Sequence, residues 1–180
     1  RAQGEQIVRG ALRAVLPDEA VRRALKDARF PGRVFLVAAG KAAWQMASVA
    51  REALPAIAGG VVVTKYGHVK GEIDGVACYE GGHPVPDENS LRGTRAALAL
   101  TGHLRADDTV LFLLSGGGSA LFEQPLLPLA ELQDITSQLL AAGADIVEIN
   151  TIRKRLSGVK GGRFAAHCAP AQVCAIVLSD

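Results

Sequence analysis

A lysine follows a glycine at the end of a short apolar run, in the segment Ala39–Ala43. This pattern predicts a tight turn that places Lys41, directly after Gly40, at the amino terminus of a helix. Free backbone N–H groups and the helix dipole favour an anion there, and the ammonium group adds a full positive charge. The segment suggests an anchor for phosphate or carboxylate, or a group that neutralises charge during phosphoryl transfer. The alternative interpretation is a solvated lysine in a first helical turn.

Three consecutive glycines, Gly116, Gly117 and Gly118, lie between Ser115 and Ser119 after another apolar run. Glycine loses more conformational freedom on folding than other residues, so such a run is costly unless the backbone must approach something closely. Successive exposed N–H groups in a loop of this kind form a concavity that binds anions. We interpret the segment as a phosphate loop, and a flexible turn is the competing interpretation.

Neither glycine segment matches the best-known nucleotide-binding fingerprints. The pattern GxxxxGK[ST] is absent, because Gly40 has no partner glycine at the required distance and no serine or threonine follows Lys41. The pattern GxGxxG could begin at Gly116 and Gly118, but Leu121 stands where the third glycine belongs. A standard Walker loop and a standard nicotinamide site are therefore both disfavoured.

A histidine and an aspartate lie in the segment EGGHPVPDENS, residues 80–90. The two prolines stiffen this segment into an extended path, and Asp87 is a good helix cap. His83 is a candidate contact for a substrate hydroxyl or carboxylate. A lone histidine beside a proline more often has a structural hydrogen-bonding role, so this alternative stays open.

The densest polar and basic segment of the chain spans residues 150–163. Its candidate anion ligands are Asn150, Arg153, Lys154 and Lys160. Arg153 and Lys160 are seven residues apart, so they share a helix face if the helix continues through Ser157 and Gly158. The glycine pair that follows Lys160 favours anion binding. A solvated helix face, the usual position of a charge run, is the alternative.

Five short apolar runs alternate with segments of helical periodicity along the chain. The predicted strands begin near residues 34, 60, 76, 109 and 172. Helical spacing covers 5–16, 18–28, 41–54, 88–103, 129–142 and 145–156, with Pro17 and Asp18 as a break and a fresh helix cap. This alternation predicts an α/β fold, a three-layer α/β/α sandwich with a mainly parallel, Rossmann-like sheet. Ligands bind such sheets where strands end and helices begin.

Composition indicates one domain and leaves the partners open. The 180 residues are 49% hydrophobic and 21% charged, and the net charge of +2 gives no basis for nucleic-acid or membrane binding. The cysteines, Cys78, Cys168 and Cys174, lack the spacing of a zinc site or a disulfide framework. We therefore expect a cytoplasmic protein with reduced cysteines. Because the last strand lacks a closing helix, we also expect the natural protein to continue beyond Asp180.

Five motifs taken together resemble a known family. They are VAAGKAAWQMA, VVVTKYGH, EGGHPVPDENS, LFLLSGGGSALFEQP and EINTIRKRLSGVKGGRFA. In order and spacing they are similar to the amino-terminal domain of the glycerate 2-kinases, the class II glycerate kinases. The resemblance implies phosphorylation of D-glycerate to 2-phosphoglycerate with ATP and Mg²⁺. It further implies that 1–180 is the amino-terminal α/β domain of a two-domain kinase, whose carboxy-terminal domain is absent from this chain and completes the active-site cleft.

The resemblance also implies roles for individual residues. Lys41 is expected to be the catalytic residue, as the main electrostatic stabiliser of the transferred phosphoryl group. The residues expected to bind substrate or phosphate are Gly40, His83, Asp87, Ser115, Gly116, Gly117, Gly118, Ser119, Asn150, Arg153, Lys154 and Lys160. Arg153 and Lys160 are expected to lie nearest to bound anions, and no residue is assigned to a metal.

Two alternatives to the kinase stay open at this point. Members of the family are often called hydroxypyruvate reductases, so one alternative is a nicotinamide-dependent hydroxypyruvate reductase. The other is a non-catalytic module in which the same loops hold a phosphorylated metabolite. The isolated chain is expected to bind weakly at most and to be inactive, and a homodimer is one assembly to test.

Overall fold

A five-stranded sheet forms the centre of the computed structural model, which describes residues 4, 5, 10 and 16–179. The strands are β1 (Val34–Ala39), β2 (Gly59–Lys65), β3 (Val76–Gly81), β4 (Thr109–Leu114) and β5 (Gln172–Val177). Their spatial order is β3-β2-β1-β4-β5, and each neighbouring pair is parallel. All five predicted strands are therefore present.

Helices cover both faces of the sheet. They are α1 (Pro17–Leu25), α2 (Ala43–Ala53), α3 (Glu88–Leu100), α4 (Gly118–Leu121), α5 (Leu129–Ala141), α6 (Ile146–Leu156) and α7 (Arg163–His167). Buried residues of α1 and α2 form one apolar cluster with the sheet, and buried residues of α3, α4 and α7 form a second cluster on the opposite face. The predicted three-layer α/β/α sandwich is confirmed.

The central strand β1 is buried along its whole length, since all six of its residues are shielded from solvent. Leu36 and Ala38 pack on the face covered by α1 and α2, whereas Phe35 and Val37 pack on the other face. A parallel strand covered on both sides needs such a continuous apolar run, which explains its sequence. The edge strand β5 is mostly exposed.

The two candidate glycine loops leave the sheet at the same place. The chain leaves β1 towards β2 on one side and leaves β4 towards β5 on the other, although β1 and β4 are neighbours. The carboxyl ends of these two strands therefore form a topological switch point, the position at which open α/β sheets bind ligands. Gly40 and Ser115 are the first residues after the two strands.

Several local predictions differ from the structure. The first long helix begins at Pro17 with Leu16 as its N-cap, so Asp18 lies in the first turn and is not the cap. The short helices α4 and α7 were not predicted, because four or five residues carry no readable periodicity. The helix predicted over 5–16 falls outside the described residues except at isolated positions. None of the helices within the described ranges is both long and apolar enough to cross a bilayer.

Candidate functional site

Hydrogen bonds hold the turn after β1 against the loop after β4. Lys41 N donates to the Gly116 carbonyl at 2.8 Å, and Ala42 N donates to the Ser115 hydroxyl at 3.0 Å. Gly40 has a φ of +124°, and a Cβ at this position would lie 2.3 Å from Ser115 Oγ. Both the backbone angle and the close approach therefore require glycine. The structure thus brings Lys41 beside the triple-glycine loop.

Free backbone amides lie in only one of the two segments for which the sequence predicts them. The N–H groups of residues 41–43 all donate to acceptors within the protein, so the turn after β1 has no amide to offer an anion. In the triple-glycine loop, the N–H groups of Gly116, Gly117 and Ser119 meet no acceptor among the described residues. The turn therefore contributes the ammonium group of Lys41, and the loop contributes the amides.

His83 lies against the same loop. Gly117 has a φ of +87°, and a Cβ added there would lie 2.8 Å from His83 Cδ2 and 3.3 Å from Lys41 Cγ. Glycine at this position therefore lets the imidazole ring and the lysine stem approach the loop closely. We call Lys41, His83 and the loop residues 115–119 the switch-point group.

Positive charges surround the His83 imidazole. Burial lowers the pKa of His83, and the charges of Lys41, Lys65 and Arg153 lower it further. The ring is therefore neutral at pH 7, when it can donate one hydrogen bond and accept another. Lys65 ends β2 and is not among the residues that the sequence predicts.

Asp87 has structural partners. Its side chain accepts a hydrogen bond from Ser90 N at 2.9 Å and caps α3, as predicted, and it accepts a second from the Tyr66 hydroxyl at 2.6 Å. Burial raises the pKa of Asp87, but these hydrogen bonds and one from the Gly82 amide outweigh it, so the net shift is downward. This carboxylate therefore anchors the segment that carries His83.

The basic segment does not form one helix face. Helix α6 ends at Leu156, and Ser157 adopts an extended conformation that forms a β-bridge with Pro125. The condition for Arg153 and Lys160 to share a helix face is therefore not met. The break at Ser157 turns the chain back towards the loop after β4.

Arg153 and Lys160 nevertheless reach the same region from different elements. Arg153 Nη2 donates to the Ser119 carbonyl at 3.3 Å. Lys160 Nζ donates to the Phe122 carbonyl at 3.2 Å and to the carboxylate of Glu123. Glu123 has only a weak signal in the sequence, a single charged residue within the apolar stretch ALFEQP.

A cavity of about 450 Å³ lies next to these basic residues. Asn150, Lys154, Lys160 and Ser119 border it, and Phe112, Phe122 and Phe164 form a packed aromatic cluster beneath it. The cavity therefore combines a polar, basic rim with an apolar floor. Asn150 and Lys154 belong to this cavity, while Lys41 and His83 belong to the switch-point group.

The arrangement is suited to binding a tetrahedral oxyanion. Free amides, an ammonium group and a buried guanidinium group lie around one loop at the carboxyl end of the sheet. No cluster of three or more His, Cys, Asp or Glu side chains that could hold a metal ion occurs in the part of the chain that the structure describes.

Comparison with known families identifies the domain. The model of the family described as Domain of unknown function (DUF4147) matches residues 3–180. This chain belongs to the DUF4147 family. The resemblance to the amino-terminal region of glycerate 2-kinases that the motifs indicate is confirmed by the relatives of this DUF4147 domain.

Those relatives are longer proteins. D-glycerate 2-kinase from Thermotoga maritima is 57% identical over 178 residues, which cover 97% of this chain and 42% of the relative. Glycerate 2-kinase from Pyrococcus horikoshii is 42% identical, covering 92% of this chain and 40% of the relative. A protein from Agrobacterium vitis that carries a provisional hydroxypyruvate reductase name is 41% identical, covering 83% of this chain and 34% of the relative.

A solved structure has the same fold as this DUF4147 domain. The crystal structure of glycerate kinase from Thermotoga maritima superposes with a TM-score of 0.91 at 57% sequence identity. The match covers 97% of this chain and 43% of the solved chain. The DUF4147 domain therefore spans about two fifths of the length of the relatives that it matches.

Proposed function

We propose that the complete protein is an ATP-dependent D-glycerate 2-kinase that produces 2-phosphoglycerate. In this proposal, residues 1–180 form its amino-terminal domain, and a second domain closes the active-site cleft. The observation that carries the proposal is the contact between Lys41 and the triple-glycine loop at the switch point of the sheet. Three amides of that loop meet no acceptor among the described residues. The 57% identity to a D-glycerate 2-kinase supports the choice of substrate.

Phosphoryl transfer requires positioned reactants and stabilised negative charge more than covalent chemistry. In the proposed site, the Lys41 ammonium group stabilises charge on the transferred phosphoryl group. The free amides of the loop hold phosphate oxygens, and the neutral imidazole of His83 contacts a hydroxyl or carboxylate group of the substrate. Arg153 and Lys160 bind a further anionic group of nucleotide or substrate.

ATP is the proposed phosphoryl donor, with Mg²⁺ as the counter-ion of its phosphates. Bound Mg²⁺ neutralises negative charge on the phosphate oxygens in reactions of this class. Because the described residues include no metal-binding cluster, the proposal assigns no protein ligand to Mg²⁺. The roles proposed for this domain are carried by its own lysine, arginine, histidine and backbone groups.

The direct test is product formation by the complete protein. With ATP, Mg²⁺ and D-glycerate, ³¹P NMR is expected to show 2-phosphoglycerate and ADP accumulating in equal amounts. A matched reaction without glycerate controls for ATP hydrolysis. Consumption of ATP without a phosphoglycerate product would contradict the kinase proposal. Binding of ATP or phosphate with no turnover would instead support the non-catalytic module.

A hydroxypyruvate reductase is the second candidate, because the relative from Agrobacterium vitis carries that provisional name. The sequence opposes it, since Leu121 replaces the third glycine of the dinucleotide fingerprint. Incubation of the complete protein with hydroxypyruvate and NADH, without ATP, separates the two candidates. The kinase proposal expects no change in NADH absorbance, and steady oxidation would favour the reductase.

We also propose a cytoplasmic location and small-molecule partners only. Cys78, Cys168 and Cys174 are free thiols in the structure, and burial raises the pKa of the first two. Protonated thiols of this kind are poorly reactive, which is compatible with a reducing compartment. Homodimerisation belongs to the same proposal, and light scattering on the complete protein tests it.

A further inference from the structure

A fully buried carboxylate lies beneath the basic residues of the candidate site. Glu123 follows α4, and its side chain is 0% exposed. Its backbone N–H donates to the Thr94 hydroxyl on α3 at 3.0 Å, and its Oε2 accepts a hydrogen bond from Lys160 Nζ. The residue is therefore fixed by its backbone on one side and by its side chain on the other.

The charge of this one carboxylate acts on two cations. Lys160 is paired with it directly, and the negative charge of Glu123 also opposes the effect of burial on the pKa of Arg153. Arg153 is 9% exposed and is held through the Ser119 carbonyl. We call Glu123, Arg153 and Lys160 the buried triad. One negative and two positive charges leave the triad with an excess positive charge in a region from which water is largely excluded.

Two polar atoms of the buried triad have no partner among the described residues. They are Glu123 Oε1 and Arg153 Nε, both removed from solvent. Natural proteins satisfy nearly all buried polar atoms, so an orphaned donor on a nine-tenths buried guanidinium group beside the triple-glycine loop indicates a missing ligand. An anion at the loop would compensate the excess charge.

Stability alone does not explain the buried triad. Replacing a buried ion pair by apolar residues of similar volume is often neutral or stabilising, because desolvation of the charges is costly. The surrounding residues Phe112, Phe122 and Phe164 already form an apolar cluster that could extend into this space. A charged cluster placed there points to a task beyond packing.

We propose that Glu123 is a positioning residue that keeps Lys160 charged and holds it at the cavity that Ser119 also lines, so that Lys160 and Arg153 can bind a phosphate group of nucleotide or substrate. The inference rests on the proposed kinase only for the identity of that group. Glu123 contacts no substrate in this account, and it acts through Lys160.

The position of the charged groups predicts how Lys160 titrates. Glu123 and Arg153 face its ammonium group, and Lys154 borders the same cavity. Burial lowers the pKa of Lys160 below 10.5, Glu123 opposes this shift, and Arg153 adds to it. Loss of the carboxylate therefore leaves only influences that lower the pKa, and Lys160 then loses its proton at a lower pH.

The test compares parent and Glu123→Gln versions of the complete protein by two readouts. NMR of labelled lysine side chains follows the titration of Lys160, and kcat/KM is measured against pH. In Glu123→Gln we expect the Lys160 titration and the alkaline limb of kcat/KM to move together to lower pH, by about one unit or more. Val49→Ala, a core variant on the other face of the sheet, controls for lost stability and is expected to move neither.

Several outcomes would overturn the proposal. One is an unchanged Lys160 titration, and another is a shifted titration with an unchanged alkaline limb, which would make Glu123 purely structural. If the parent shows no kinase turnover, the proposed function fails by itself. Calorimetric binding of inorganic phosphate against pH then replaces kcat/KM as the second readout, with the same shift expected. If Glu123→Gln does not fold, Glu123→Asp replaces it in the test. The shorter side chain keeps the negative charge but moves it away from Lys160, so the Lys160 titration must shift in the same direction by a smaller amount.

Discussion

Single residues decide how closely the candidate groups of the switch point approach one another. Gly117 has no side chain, which leaves room for the His83 ring and the Lys41 stem beside the loop. Its φ of +87° is one that other residues rarely adopt. Lys41 supplies charge, the loop supplies amides and His83 supplies a neutral ring. A Cβ at residue 117 would force the His83 ring to move and would crowd the Lys41 stem.

The variant Gly117→Ala tests this close approach. We expect turnover to fall at least tenfold, because the new methyl group displaces His83 and crowds the Lys41 stem in addition to straining the backbone. Gly143→Ala is a matched control, since its φ is +73° but no atom lies within 4 Å of an added Cβ. Backbone strain of about 1–2 kcal/mol is common to both variants. Equal turnover in the two variants, measured at matched folded fraction, would contradict the importance of the contact.

His83 makes a pH-dependent contribution to stability. Its pKa in the folded protein lies below 6.5, so the unfolded chain takes up a proton first as the pH falls. The contribution is fully present above pH 6.5 and is lost as the pH falls through the lower folded pKa. We expect the decrease in Tm between pH 7.5 and 5.5 to be smaller in His83→Gln than in the parent.

The variant His103→Gln, which removes an exposed histidine, is the matched control for the substitution itself. If the parent and His83→Gln lose the same amount of Tm over this range, the charges of Lys41, Lys65 and Arg153 do not act on the imidazole as described.

Residues of the site differ in how well the sequence predicts them. Lys41 and the triple-glycine loop follow apolar runs and have distinctive local patterns, and their contact follows from the parallel order of β1 and β4. Glu123 has no such pattern, because its burial depends on Lys160 and Arg153, which are about thirty or more positions away in the sequence. Which amides are free also depends on tertiary hydrogen bonds, and those cannot be read from residue types.

Secondary-structure elements place the site by fixing the strand ends. At the amino ends of the strands, opposite the candidate site, Asp108 accepts hydrogen bonds from Arg33 Nε at 2.9 Å and Nη2 at 2.6 Å, and from Arg105 N at 2.7 Å. Its own carbonyl accepts Gln172 N at 3.1 Å. One buried aspartate therefore connects the first residues of β1, β4 and β5. By fixing the register of β1 against β4, it also fixes where the loops after these two strands begin.

Loss of this carboxylate should weaken the sheet in a pH-dependent way. The Arg33 guanidinium group lowers the pKa of Asp108 from 3.8 to about 2, with help from the Arg105 amide. Its stabilising contribution is present above pH 3.8 and is lost as the pH falls through about 2. We expect Asp108→Asn to lower Tm at pH 7, with a difference from the parent that shrinks below pH 4.

The exposed pair of Arg51 and Asp74 provides a matched comparison, because Asp74 is 86% exposed. Exposed ion pairs contribute about 0–1 kcal/mol, so Asp74→Asn should change Tm little at pH 7. A difference between parent and Asp108→Asn that stays constant down to pH 2 would contradict the assigned role of the carboxylate.

Element boundaries show where local sequence patterns are sufficient. The five strands and the long helices from α2 onward agree with the alternation of apolar runs and helical periodicity, because each is long enough to show its period. The order of the strands is not contained in that alternation, since it depends on which faces the crossovers cover. The end of α6 at Leu156 agrees with the predicted end at residue 156, and the bridge between Ser157 and Pro125 follows it directly.

On the scale of the whole molecule, this domain presents one open side of a candidate cleft. The chain spans about two fifths of the length of its relatives, and the switch-point group lies at the carboxyl ends of the central strands β1 and β4. Phosphoryl transfer needs water excluded from the reacting groups, which a single open face does not achieve. The proposal therefore places the remaining part of the active site on a second domain.

The isolated chain tests whether turnover requires the second domain. We expect residues 1–180 to bind ATP or inorganic phosphate weakly and to form no detectable 2-phosphoglycerate, whereas the complete protein turns over. Calorimetry and ³¹P NMR on both proteins measure the two properties. Turnover by the isolated chain at a rate comparable to the complete protein would show that one domain is sufficient.

The most direct test of the role proposed for the switch-point group is the kcat of Lys41→Ala in the complete protein with saturating ATP and D-glycerate. Removing one preorganised group that stabilises transition-state charge costs about 10²- to 10³-fold in kcat, and we expect a loss of this size. Lys26 is exposed and lies near the amino end of β1, away from the site, so Lys26→Ala should retain the parental kcat. A Lys41→Ala variant with kcat within about tenfold of the parent would contradict the account.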